Sequence, residues 1–196
     1  MPVVCIHQPD FAPWLGFFDR LLDADVFVVL DDAQFIHDGW HHRDRIKTPR
    51  GPAWLTLPIR HDDKFKPIKT VHMATNFAAW RPRALNLLAE NYRAAPYFKD
   101  VFSEIETIWQ RPFDRLIDLN LAVLDFAYRM LDLRPTVLFA SNLGVAATKT
   151  RRLVELVKVV GGKRYLSGTG ALDYLEPELF AEAGIRYLDT FLNFAE

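Results

Sequence analysis

The stretch VVCIHQPDFAPWLGFFDRLLDADVFVVLDD, residues 3–32, decides the fold. Its first apolar run, Val3 to Ile6, is short, unbroken and rich in β-branched residues, the pattern of a strand buried on both faces. The run stops at His7-Gln8-Pro9, and a second proline, Pro13, stiffens the loop that follows. From Trp14 to Leu22 the apolar residues recur at helical spacing, which predicts a packed side of Leu15, Phe18, Leu21 and Leu22. A second buried strand, 25–32, ends in Asp31-Asp32. Strand, helix and strand within about 30 residues form a βαβ unit, which demands parallel strands.

Outward from that unit the pattern changes. Residues 34–60 are polar, with a turn at Thr48-Pro49-Arg50-Gly51 between predicted strands at 42–47 and 54–59. A further strand is expected at 68–73. The middle reads as helices over 76–91, 97–109 and 111–131, closed by Pro135. The last third returns to alternation: strands at 136–141, 164–168 and 185–188, helices at 149–160 and 176–183. Gly161-Gly162 breaks the first of those helices, and Gly184 follows the second as its C′ residue. The expected architecture is α/β: a mostly parallel, Rossmann-like sheet flanked by helices, with a β-hairpin excursion and a helical insertion in the middle. The expected organisation is one domain over 1–196, with the insertion at about 75–134.

Composition narrows the function classes. The chain has 196 residues, half of them hydrophobic, with 15 Phe and 5 Trp, so it can bury a full core. Its formal net charge of −1 gives no general attraction to nucleic acid or anionic membrane. One cysteine, Cys5, excludes an internal disulfide and a Cys-rich zinc site. No window approaches the roughly 20 apolar residues of a membrane span. A protein of the cytoplasm is expected.

In open α/β sheets ligands bind beyond the carboxyl ends of the strands. The four predicted carboxyl-end segments are His7-Gln8-Pro9, Asp31-Asp32, Ser141-Asn142 and Ser167-Gly168-Thr169-Gly170, all polar, small or charged. Together they are expected to border one cleft. His7 is the candidate base, since imidazole titrates near neutrality, and Asp32 the candidate group that orients it. Gln8 and Asp31 lie on those segments, Trp14 opens the following helix and Gln34 the following polar stretch, and all four join the substrate-binding set. In WHHRDRIK, residues 40–47, strand alternation puts Arg43, Arg45 and Lys47 on one side. Such a strip suits phosphate or carboxylate, although charges on an edge strand also prevent aggregation. Ser167, Gly168 and Gly170 let the backbone approach a ligand closely, and Lys149 opens a helix where a cation opposes the dipole. His37, His41 and His42 have neither a helical context nor a cysteine to support zinc, so no metal is expected. The residues name no cofactor. The expected partner is a small molecule bearing phosphate or carboxylate, not nucleic acid.

Several stretches together resemble the WbqC-like family of bacterial proteins: 6–35, 40–59, NYRAAPYF at 91–98, and 149–175, with HQP-x3-PW-x-GFF the most specific run. The resemblance implies a part in O-antigen and other surface-polysaccharide synthesis, with glycine transfer as the activity. It carries no site residues with it. Where the family pattern has W-x-N-R-N, this chain has Trp40-His41-His42-Arg43-Asp44, replacing both amides. Members commonly run further past the last strand, which implies a short form. The layout of strand, HQP loop, helix and ADVFVVLDDAQF is also similar to the start of adenylate-forming ligases such as pantothenate synthetase, without their paired H-x-G-H histidines.

Three functions fit these readings. One is an aminoacyl (glycine) transferase acting on a sugar intermediate. The second is an ATP-dependent amide ligase or nucleotidyltransferase-like enzyme using the same cleft. The third is a non-catalytic nucleotide- or sugar-binding protein.

Overall fold

A computed structural model describes residues 1–168 and 175–189. The strands are β1 (Val3–His7), β2 (Val26–Val29), β3 (Arg43–Thr48), β4 (Gly51–Thr56), β5 (Thr136–Phe139), β6 (Arg164–Ser167) and β7 (Arg186–Asp189). The α-helices are α1 (Leu15–Leu22), α2 (Phe77–Tyr92), α3 (Phe98–Gln110), α4 (Leu116–Met130), α5 (Lys149–Val159) and α6 (Pro177–Glu182). The chain divides into two compact units: a sheet unit of residues 1–8, 14–31 and 132–196, and an inserted unit of residues 9–13 and 32–131.

In the sheet unit five strands lie in the order β5-β2-β1-β6-β7, and every pairing is parallel. The predicted βαβ start is therefore its centre. Counted along this unit the order is 3-2-1-4-5, that of a doubly wound sheet, with the reversal between β1 and β6. Alternation along β1 separates two faces. Val4 and Ile6 join Val28, Val154, Val157, Tyr165 and Phe180 in one buried cluster, which brings α5 and α6 onto that face. On the other face Phe17 of α1 meets Phe27 edge-on, with ring centroids 5.7 Å apart.

α1 is rotated relative to its expected setting. Gly16, Phe17, Phe18, Arg20 and Leu21 are buried, whereas Leu15 and Leu22 are 70% and 66% exposed. Leu15 and Leu22 are seven residues apart and so share one side, which faces solvent. Further on, Gly161, at φ +72°, ends α5 in the left-handed conformation that glycine adopts without strain.

In the inserted unit β3 and β4 form an antiparallel hairpin in the register Thr48↔Gly51 to Arg43↔Thr56. The second strand starts at Gly51 rather than at Trp54, because pairing begins directly across the Pro49-Arg50 turn. No strand forms at 68–73. Ile68–Thr70 is a single 3₁₀ turn, followed by isolated bridges of Met73 with Ile59 and His72 with Arg115. Asp63 takes the His72 backbone N–H at 2.7 Å, so a side chain replaces the ladder partner a strand would supply. α4 begins at Leu116, after Pro112, and not at Arg111. Its buried residues Leu116, Leu119 and Val123 share a core with Phe11, Phe35, Leu57 and Trp109.

Candidate functional site

His7 is the last residue of β1, at the point where the strand order reverses. Val3↔Arg164, Val4↔Tyr165 and Cys5↔Leu166 set the register, which continued two residues places His7 beside Gly168. The His7 ring stands edge-on to Phe17 at 5.2 Å. Its Nδ1 lies 2.9 Å from the Gln8 carbonyl oxygen. A carbonyl only accepts, so Nδ1 donates in this bond, which orients the ring at the strand end.

The neighbouring strand ends are tied down. Asp31, just past β2, accepts the Ser141 backbone N–H at Oδ1 (3.0 Å) and its hydroxyl at Oδ2 (2.6 Å). That bond pair locks the end of β2 to the turn after β5, a positioning job for a buried carboxylate. Ser167 is fully buried and its hydroxyl donates to the Gly168 carbonyl at 3.2 Å. Trp14 precedes α1 and is 54% exposed. Lys149 is exposed at the first position of α5, with the unusual φ of +53°. Gly170 lies outside the described residues.

Arg20 is the residue that reading the sequence missed. It is only 4% exposed, its guanidinium carbon sits 5.6 Å from the Phe17 ring centroid, and its Nε reaches the Gly16 carbonyl at 3.4 Å. It packs under the end of β6: a Cβ on Gly168 would come 2.5 Å from Arg20 Nη1. Its charge also acts on Cys5 of β1. Burial pushes that thiol up to about 11, and the guanidinium works against the shift. The signal was present in the spacing, since Arg20 follows Phe17 by three residues and shares its face.

The inserted unit holds the other candidates. Arg43, Arg45 and Lys47 do alternate onto one side of β3, opposite Thr56, Trp54 and Pro52. Trp40 and Trp54 lie among them, ring centroids 5.5 Å apart. Arg43 stacks over Trp54 at 4.4 Å, and Arg45 lies 5.6 Å from Trp40 and 5.9 Å from Trp54. Arg43 also donates to the Asp38 carbonyl at 2.6 Å, so Arg45 and Lys47 are the more exposed cations of the strip. Gln34 is exposed and bridges to Pro67, while Asp32 is half-buried.

His41 and His42 are buried beneath this strip rather than displayed on it. His41 Nδ1 accepts the Ile36 N–H at 3.1 Å, and its Nε2 lies 3.8 Å from Asp10. Burial lowers the His41 pKa to about 4. His42 is likewise lowered to about 4, by burial first and then by the charges of His37 and Arg43. Both rings are therefore neutral at pH 7. Asn120 of α4, fully buried, donates from one Nδ2 to the carbonyls of Pro9 (2.8 Å) and His41 (2.7 Å), and so clamps two loops together. The unit also carries a partly open apolar pocket of about 350 Å³ walled by residues such as Ile46, Leu88, Phe102 and Trp109. Its lining is apolar and aromatic, with Tyr92 and Tyr97 at its wall.

Among the described residues no group of three or more His, Cys, Asp or Glu is arranged to hold a metal ion. No helix among them is long and apolar enough to cross a membrane. No solved structure matches this chain. It is 31% identical over 189 residues to the uncharacterized protein Rv1507c of Mycobacterium tuberculosis, which covers 95% of this chain and 80% of that one. The sequence model of the WbqC-like protein family matches residues 8–195, nearly the whole length, and the chain belongs to that family.

Proposed function

We propose that this protein is an aminoacyl transferase that passes glycine to a sugar intermediate of surface-polysaccharide synthesis. The family resemblance suggests the substrates, and His7 suggests the chemistry. The observation that carries the reading is His7 at the reversal point of a doubly wound sheet, its Nδ1 committed to the Gln8 carbonyl. His7 takes the proton that the sugar amine loses as its nitrogen bonds to the glycyl carbonyl carbon of a preactivated donor. The bond from that carbon to the donor's carrier group breaks, the carrier leaving with the electron pair. Asp32 is the second catalytic candidate. Asp31 holds the strand ends in register, and within the inserted unit Arg43, Arg45 and Lys47 form a cation strip that suits a phosphate or carboxylate.

A second reading has its own support. The 3-2-1-4-5 strand order is one that binds nucleotides at its reversal point, which favours an ATP-dependent ligase that activates glycine itself. Incubating the protein with labelled glycine, ATP and amino-sugar nucleotides separates the two. Glycine-dependent release of AMP or ADP identifies the ligase. Glycyl transfer from a preactivated donor without ATP consumption identifies the transferase. Stabilisation by a ligand with no chemical change leaves a binding protein and removes both enzymes.

A further inference from the structure

Among the described residues, Arg20 is a buried charge left unbalanced. Its Nη1 has no hydrogen-bond partner, and among the described residues no carboxylate pairs with it. Its surroundings are the face of Phe17, one long bond to the Gly16 carbonyl, and the backbone at Gly168. Arginine is rarely buried unless paired, because a charge out of water without an opposite charge is costly. A packing role alone would be met by methionine or leucine, without that cost. The sequence instead makes room for the charge: residue 168 is glycine, and any Cβ there would drive into the guanidinium. The position is equally telling. Gly168 follows β6, its neighbour across the sheet by register is His7, and between β1 and β6 the strand order reverses. A fixed cation in a low-dielectric floor acts across several ångströms, so it need not touch its counter-ion.

We propose that the strand-end crevice of the sheet unit, between β1 and β6, is an oxyanion site whose ligand charge is balanced by Arg20. The ligand class is a phosphate- or carboxylate-bearing small molecule, the two groups a guanidinium matches. The inference rests on the reading of that crevice as the substrate site, but not on any transfer step. It also explains why a residue outside the loops is charged where the helix packs.

The test is thermal unfolding of the full chain in sodium pyrophosphate, sodium phosphate and sodium acetate, each against sodium chloride at matched ionic strength. The first two probe a phosphate source and the third a carboxylate. At least one of them should raise Tm above the chloride control in a saturable way. Arg20→Met should weaken that affinity about ten-fold or more, while its Tm in chloride equals or exceeds that of the parent chain. Arg20→Lys, which keeps the charge but loses the planar fork, should weaken it less. If no oxyanion outperforms chloride, or if Arg20→Met binds as tightly as the parent, the site does not exist. Should Arg20→Met not fold, the charge is structurally balanced and the premise fails. Glycyl transfer assayed on the same samples separates the two proposals. Oxyanion binding without turnover sinks the transferase and leaves this site, whereas turnover with no oxyanion effect does the reverse.

Discussion

His7 depends on its successor: its Nδ1 donates to the Gln8 carbonyl, and that bond orients the ring proposed as the base. His7→Ala should therefore lower turnover by about 10²–10⁴-fold, the range of a lost general base, with an unchanged circular dichroism spectrum. Turnover at the parent rate would remove the assignment. Asn120 works differently, by satisfying two carbonyls at once from inside a helix. Asn120→Leu strands both carbonyls in a buried place and should cost about 1–3 kcal/mol, read from urea unfolding. A loss within error of zero would mean that water replaces the amide. Asn120 does not stand out in the sequence, and Arg20 stands out only through its spacing from Phe17. Each is a polar residue set in an apolar stripe, and only its burial reveals that it has been enclosed on purpose.

At the scale of elements, the period-2 and βαβ patterns were legible because alternation and apolar runs are properties of neighbours along the chain. The hairpin strip of Arg43, Arg45 and Lys47 followed from period alone. The buried side of α1 did not, since Leu15, Phe18, Leu21 and Leu22 fit a helical stripe as well as Phe17, Arg20 and Leu21 do. The partner Phe27 on β2 settles which face turns inward. At 68–73, β-branched residues suggested a strand, but Asp63 intercepts the His72 N–H. The join of α5 to β6 is tight enough to test. A Cβ on Gly162 would press into Val4 Cγ2 and lie 2.9 Å from Val157 Cγ1. Gly162→Ala should thus destabilise by about 1–3 kcal/mol in urea, the usual range for overpacking. A neutral result would show that β1 and α5 can separate there at no cost.

At the scale of the molecule, the acid response should come from the inserted unit. The pKa of His41 and His42 falls from 6.5 unfolded to about 4 in the fold, so the unfolded chain binds more protons between those values. Their contribution to stability is complete above pH 6.5 and drains away as the pH falls to 4. Asp63 adds a second step. Burial alone would raise its pKa, but hydrogen bonds from Lys66 and from the His72 backbone and ring bring it down to about 2, against 3.8 unfolded. Its contribution is present above pH 3.8 and lost as the pH drops to 2. Unfolding free energies at pH 7, 5.5 and 4 should decline, and His42→Phe should flatten that decline. Hydrogen exchange at pH 4.5 should quicken over 33–131 before it does in β1, β2, β5 and β6. A parallel loss everywhere would contradict the assignment of the response to this unit. The sequence by itself determined the class of fold, the strands of the sheet and the cationic strip, because each is written in local periodicity and in where apolar runs stop. Only the tertiary structure decided the strand order, the Asp31–Ser141 tie, the neutrality of His41 and His42, and the buried charge of Arg20. Those depend on residues distant in the chain meeting out of water, where a missing partner or an enclosed charge acquires its energy.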